Sequence, residues 1–147
     1  MLVTIDCHRH ILALLPLVVL ISWGGSNPAT PSRTDVQVSG IWDARFSGTV
    51  QGTGTAQSDN FVMKLQQDGS SVTGTLQFQG LDLSFPLSGK VVGTAFSYSS
   101  KASLGPTCEA TVVGETTVDA AAGRLAGSQT QANCEGTAVG QVTAVRR

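Results

Sequence analysis

Beyond residue 36 the chain alternates apolar and polar residues with a period of two, and no stretch carries the three-to-four-residue spacing of an amphipathic helix. In Phe61-Val62-Met63-Lys64-Leu65-Gln66, the residues Phe61, Met63 and Leu65 share one side while Lys64 and Gln66 share the other. A strand sends successive side chains to opposite faces, so this pattern predicts a sheet with one face in a core and the other in water. Val72, Leu76 and Phe78 repeat it against Thr73, Thr75 and Gln77, and Leu81, Leu83, Phe85 and Leu87 repeat it against Asp82, Ser84 and Pro86. Pro86 has no amide hydrogen to give a ladder and predicts an outward edge or a bulge. Further strands are expected near 41–47, 92–100, 108–118, 123–131 and 135–145, which makes about eight in all.

Turn chemistry separates these runs. Asp68-Gly69-Ser70-Ser71 lies between two alternating segments, and Asp-Gly suits the positive φ values of tight hairpins. Gly69-Ser70-Ser71-Val72-Thr73-Gly74, Gly89-Lys90-Val91-Val92-Gly93 and Gly123-Arg124-Leu125-Ala126-Gly127 share a turn glycine, an apolar residue and a second glycine. Glycine weakens a strand interior, so its recurrence predicts strands that bend sharply, as closure of a small barrel requires. Consecutive strands, hairpin connections and no crossover helix predict an all-β fold: an antiparallel up-and-down barrel of about eight strands. A two-sheet β-sandwich is the alternative that the same pattern permits. A membrane-spanning barrel would turn apolar residues toward lipid. Here Trp42, Phe46, Phe61, Phe78, Phe85, Phe96 and Tyr98 mostly share the face that a water-soluble barrel turns inward, opposite Lys64, Gln66, Gln77, Gln79 and Asp82.

The N-terminal stretch is of another kind. After Met1 to His10, an apolar run from Ile11 to Ser22 is interrupted only by Pro16. A dozen or so apolar residues fall short of the about 20 that span a bilayer, so the layout reads as a signal peptide rather than a permanent anchor. Its end, Leu20-Ile21-Ser22-Trp23-Gly24-Gly25-Ser26, resembles a bacterial lipoprotein signal, but Trp23 stands where that pattern has the lipidated Cys. Without a thiol no lipid can be attached there, and cleavage after Gly24, with Ser22 and Gly24 as the small residues read by signal peptidase, is the preferred expectation. The expected organisation is therefore a signal peptide over 1–24, a flexible Ser/Pro/Thr-rich leader over 25–36 and a β-barrel domain over 37–147. Such a protein would reside in the periplasm, at the cell surface or outside the cell, and would touch the membrane only through its N-terminal segment.

Export gives the cysteines a meaning. Cys7 leaves with the signal, and the remaining pair, Cys108 and Cys134, predicts a disulfide in an oxidising compartment. Closing that loop contributes roughly 3 kcal/mol in the chain-entropy treatment. His8 and His10 also lie in the signal, so the predicted domain holds no histidine. That excludes Ser-His-Asp, Cys-His and His-ligated metal chemistry, and no metal or other cofactor is expected. The carboxylates Asp43, Asp59, Asp68, Asp82, Glu109, Glu115, Asp119 and Glu135 fall mainly at predicted turns or outward positions, and no glycosidase-like pair stands out. With 13% charged residues, a net charge of -1 and no basic cluster, the chain has nothing to neutralise a row of phosphates, so nucleic acid is not an expected partner. The domain reads as non-catalytic.

Gly40-Ile41-Trp42, opening the first predicted strand, resembles the Gly-x-Trp motif of the calycin superfamily, the lipocalin and avidin barrels. The resemblance implies that Trp42 packs across a closed barrel end against an arginine from the end of the last strand, a part open to Arg146 or Arg147. It also implies a ligand held in the barrel mouth. No tryptophan follows Trp42, whereas avidin-type biotin sites are walled by several, so biotin is not the expected ligand. The leading expectation is an exported envelope module that binds a small apolar ligand, with Trp42, Phe61, Phe78, Phe96 and Tyr98 as candidate lining residues. The alternatives are a protein-interaction module and a structural envelope component. In the first, such as a secreted protease inhibitor, the segment from Gly25 to Thr34 would enter an enzyme cleft. The second would associate through its Thr/Gln-rich outer face. The sequence leaves the oligomeric state open.

Overall fold

The computed structural model describes residues 34–147. The expected signal peptide and most of the expected leader lie outside the described residues. Eight strands follow one another: β1 Gly40–Val50, β2 Ala56–Asp68, β3 Ser71–Phe78, β4 Ser84–Val92, β5 Ala95–Gly105, β6 Cys108–Asp119, β7 Arg124–Asn133 and β8 Gly136–Arg146. Each pairs antiparallel with the next, and β8 returns to β1, closing an up-and-down barrel in simple chain order. The all-β barrel is as expected, and closure sets the sandwich alternative aside. It also leaves no continuous exposed sheet edge.

Two boundaries differ from the sequence expectation. Leu81 and Leu83 belong to the connection between β3 and β4 rather than to a strand, and Leu81 is 49% exposed. The strand expected near 92 begins at Ala95, because Gly93 with φ 62° opens a two-residue turn between the paired Val92 and Ala95. Gly69, φ 58°, occupies the same place between Asp68 and Ser71. The second copy of the glycine repeat is therefore out of phase: Gly89 lies within β4 and Gly93 is the turn. In the other two copies, Gly74 and Gly127 sit inside strands where a Cβ would collide with the backbone carbonyl of the neighbouring strand, Lys64 and Glu115 respectively. Those close approaches are the sharp coiling that the repeat predicted.

Alternate residues of all eight strands fill the interior. Trp42, Phe46, Phe61, Met63, Leu76 and Phe96 are among those fully withdrawn from solvent. Outward positions carry Ser, Thr, Gln and exposed charges such as Lys64, Lys90 and Glu115, whereas a lipid-facing band would be apolar. Pro86 sits where β4 is laddered to β3 but not yet to β5, whose pairing begins at Leu87–Ser100. Its carbonyl accepts the Ser100 hydroxyl at 2.7 Å. Surface ion pairs join Lys101 to Glu109 and Arg147 to Asp43, all more than half exposed and so minor in stability. The Arg147 guanidinium nevertheless holds the Asp43 carboxyl below the usual carboxylate range.

One end of the barrel is plugged. The Trp42 indole N–H donates to the Val38 carbonyl at 2.8 Å, and the Arg146 guanidinium lies over the indole ring, 4.7 Å from its centroid. Arg146 also donates to the Gln37 carbonyl. Val38 itself is fully buried, and Gln67 accepts its amide. Asp35 and Val36, which the sequence reading gave to the leader, are tied down too: Gly93 donates to Asp35 at 2.7 Å, and Val36 donates to the Gly93 carbonyl at 2.8 Å.

Midway along the barrel, the Tyr98 ring lies flat over Gly114 on the paired strand, in the space that a Cβ there would occupy. Because a buried ring cannot step aside, Gly114→Ala should destabilise the fold by about 1–3 kcal/mol. Urea unfolding checks this; a cost near zero would mean that the ring has freedom its burial denies.

Candidate functional site

Since β1 starts at the plugged end, β1, β3, β5 and β7 all finish at the opposite rim, and the even strands begin there. The inward residues nearest that rim enclose a cavity of about 400 Å³, open at the mouth. Two features make the room. On β1 and β8 the paired inward residues are Gly48 and Gly140, followed by the small Ala138. On the other side, Ser84 to Pro86 of β4 and Lys101 to Gly105 of β5 are not paired with each other, so the wall is not closed by a ladder there.

The cavity has two unlike walls. Phe78 and Phe85, ring centroids 5.4 Å apart, form the apolar wall with Leu81 and Leu104. Phe61 packs behind Phe78 at 5.2 Å. The polar wall is built by Gln57 and Asp59 of β2 and Gln131 of β7. Gln57 reaches across β1 and β8, over the side-chain-free Gly48 and Gly140, and donates to Asp59 Oδ2 at 2.7 Å and to Gln131 Oε1 at 2.9 Å.

The directions in this chain follow from its charged member. An ionised carboxylate only accepts, so it turns the Gln57 amide nitrogen toward itself. That nitrogen in turn draws the oxygen of Gln131, and the Gln131 Nε2 is left as a buried donor with no partner among the described residues. Deeper in, Gln129 is 1% exposed; its oxygen accepts the Tyr98 hydroxyl, while its own Nε2 also lacks a partner among the described residues. Burial pushes the Tyr98 phenol well above its ordinary pKa, so it remains a neutral donor. A buried polar group without a partner costs on the order of 1–3 kcal/mol, so these donors are suited to water or to a ligand oxygen.

Asp59 and Glu135 are the acidic residues of the lining, and the described lining includes no Lys, Arg or His. Among the described residues no three His, Cys, Asp or Glu side chains are grouped to hold a metal ion. The rim is stapled by the expected disulfide, Cys108–Cys134, with Cα atoms 5.3 Å apart. It ties the start of β6 to the turn between β7 and β8.

Of the five aromatics expected to line a site, Phe78 lines the cavity and Phe61 supports it from behind. Tyr98 lies deeper, on the Gln129 amide. Trp42 belongs to the plug at the opposite end, and Phe96 stands near that end, at the start of β5, with its ring 5.2 Å from Tyr98. The sequence reading missed Gln57, Asp59 and Gln131 because it took polar residues as outward-facing. Their parity carried the signal: 57 and 59 are in step with Phe61, and 131 is in step with Leu125. No protein-family model matches this sequence, and a search of curated proteins finds no significant match, so the cavity must be interpreted from its own chemistry.

Proposed function

We propose that the protein is an exported, non-catalytic binding module of the cell envelope that takes a small, largely apolar ligand into the mouth of its barrel. The observation that carries this reading is the asymmetry of the barrel. One end is filled by Trp42, Val38 and Arg146, while the other keeps a cavity of about 400 Å³ faced by Phe78 and Phe85. That volume falls within the roughly 300–1,000 Å³ range of small-molecule sites, which are mainly apolar with a few placed polar groups. The arginine stacked on Trp42 supports a calycin-like, and specifically lipocalin-like, reading of the barrel. The disulfide supports export.

The test is native mass spectrometry of the protein made in an oxidising compartment, together with titration of an apolar, environment-sensitive dye. A bound mass lost on denaturation, or saturable dye binding, is expected. Ala110→Trp, which places an indole in the cavity, should weaken dye binding by on the order of tenfold or more. If the protein carries no ligand and takes up no dye, the ligand-binding reading falls.

A further inference from the structure

We infer that the cavity selects uncharged amphiphiles: an apolar body carrying one head group that both accepts and donates a hydrogen bond, such as a primary alcohol or a primary amide. This inference rests on the ligand-binding reading above and adds the chemistry of the head group. The apolar wall of Phe78 and Phe85 takes the body. On the facing wall, Gln131 Nε2 is a buried donor without a partner among the described residues, and its direction is set by the carboxylate of Asp59 acting through Gln57. Asp59 Oδ2 accepts from Gln57, which leaves Oδ1 free to accept a hydrogen bond from a ligand. The Gln57 nitrogen bonds the other atom of each group, Asp59 Oδ2 and Gln131 Oε1, so the remaining carboxylate oxygen and the remaining amide nitrogen belong to neighbouring side chains of one wall.

Charge decides against the other heads. A carboxylate would satisfy Gln131 but would be desolvated beside Asp59, with Glu135 also in the lining and no described basic residue there to offset it. An ammonium would be drawn to the acids, yet it has no lone pair and would leave the Gln131 donor buried and unpaired. A hydroxyl or primary amide meets both demands without bringing in a charge.

The experiment is competition against the dye by decanol, decanamide, decanoate and decylamine at neutral pH. Decanol and decanamide should bind on the order of tenfold tighter than the two charged probes. Gln131→Leu should remove most of the advantage over decylamine, read as the ratio of the decanol and decylamine affinities in the same variant, and should leave decanoate disfavoured. Asp59→Asn, which deletes the repelling charge, should bring decanoate closer to decanol. Decanoate or decylamine matching decanol in the unaltered protein overturns the head-group inference while the cavity reading stands. If the dye itself fails to bind, both fall together.

Discussion

Trp42→Ala lowers the folding stability of the barrel by about 3–5 kcal/mol, the range for deleting a large buried aromatic ring. The indole is fully buried, its N–H is bonded to Val38 and its face is covered by Arg146. Truncation therefore opens a void at the plugged end, leaves the Val38 carbonyl unpaired and takes away the surface on which Arg146 rests. Domains of this size have only about 5–15 kcal/mol in hand, so the urea midpoint should fall steeply with little change in slope. Trp42→Phe keeps most of the ring and loses the hydrogen bond, and should cost on the order of 1–2 kcal/mol. Dye binding by the molecules that remain folded should be nearly unaffected, because the cavity lies at the other end. A cost below about 1 kcal/mol for the alanine variant would mean that the plug is an appendage rather than part of the cooperative core.

The same residue marks how far the sequence could be followed. Two-residue periodicity identifies which residues face inward, and Trp42, Phe61, Phe78, Phe96 and Tyr98 all do. Periodicity says nothing about height along the barrel axis. Height comes from strand direction: β1 and β5 start at the plugged end, which puts Trp42 and Phe96 low, whereas Phe78 closes β3 at the rim. A meander alternates direction by construction, so strand order together with parity fixes which inward residues sit at which end. The limits of the strands were harder. Leu81 and Leu83 continue the alternation of β4 through a connection in which no ladder constrains them, so an apolar residue at the mouth looks like one in a strand.

The polar wall was obscured for a different reason. Gln57, Asp59, Gln129 and Gln131 face inward, where they bond to one another or to Tyr98 instead of packing as an apolar core. Local hydropathy assigns such residues to the surface. Only the parity carried over from Phe61 and Leu125 places them inside, and only closure brings β2 and β7 within reach of each other across Gly48 and Gly140. A conflict between parity and polarity is where a fold departs from simple core packing, and here it coincides with the cavity at the barrel mouth.

Breaking the Cys108–Cys134 bridge should have an effect of similar size to the tryptophan deletion, but it should act at both the stability and the mouth. The cysteines are 26 residues apart, for which the chain-entropy relation gives about 3–4 kcal/mol. Their position adds a local consequence. The β6–β7 ladder ends at Thr111–Ala132, so Cys108 to Ala110 are laddered to β5 alone, and the disulfide replaces the missing pairing on their other side. Ala110, Thr111, Ala132 and Asn133 belong to the cavity lining, and they are the residues this staple holds in place. The double variant Cys108→Ala, Cys134→Ala should therefore unfold at lower urea, exchange its amide hydrogens faster around 108–111 and 132–136, and bind the dye more weakly even where it is fully folded. Reduction of the unaltered protein with a dithiol should reproduce all three changes. An unchanged urea midpoint would show that the unfolded chain gains little freedom from the cut, and unchanged dye affinity would show that the rim keeps its shape through the β5–β6 and β7–β8 hairpins without the staple.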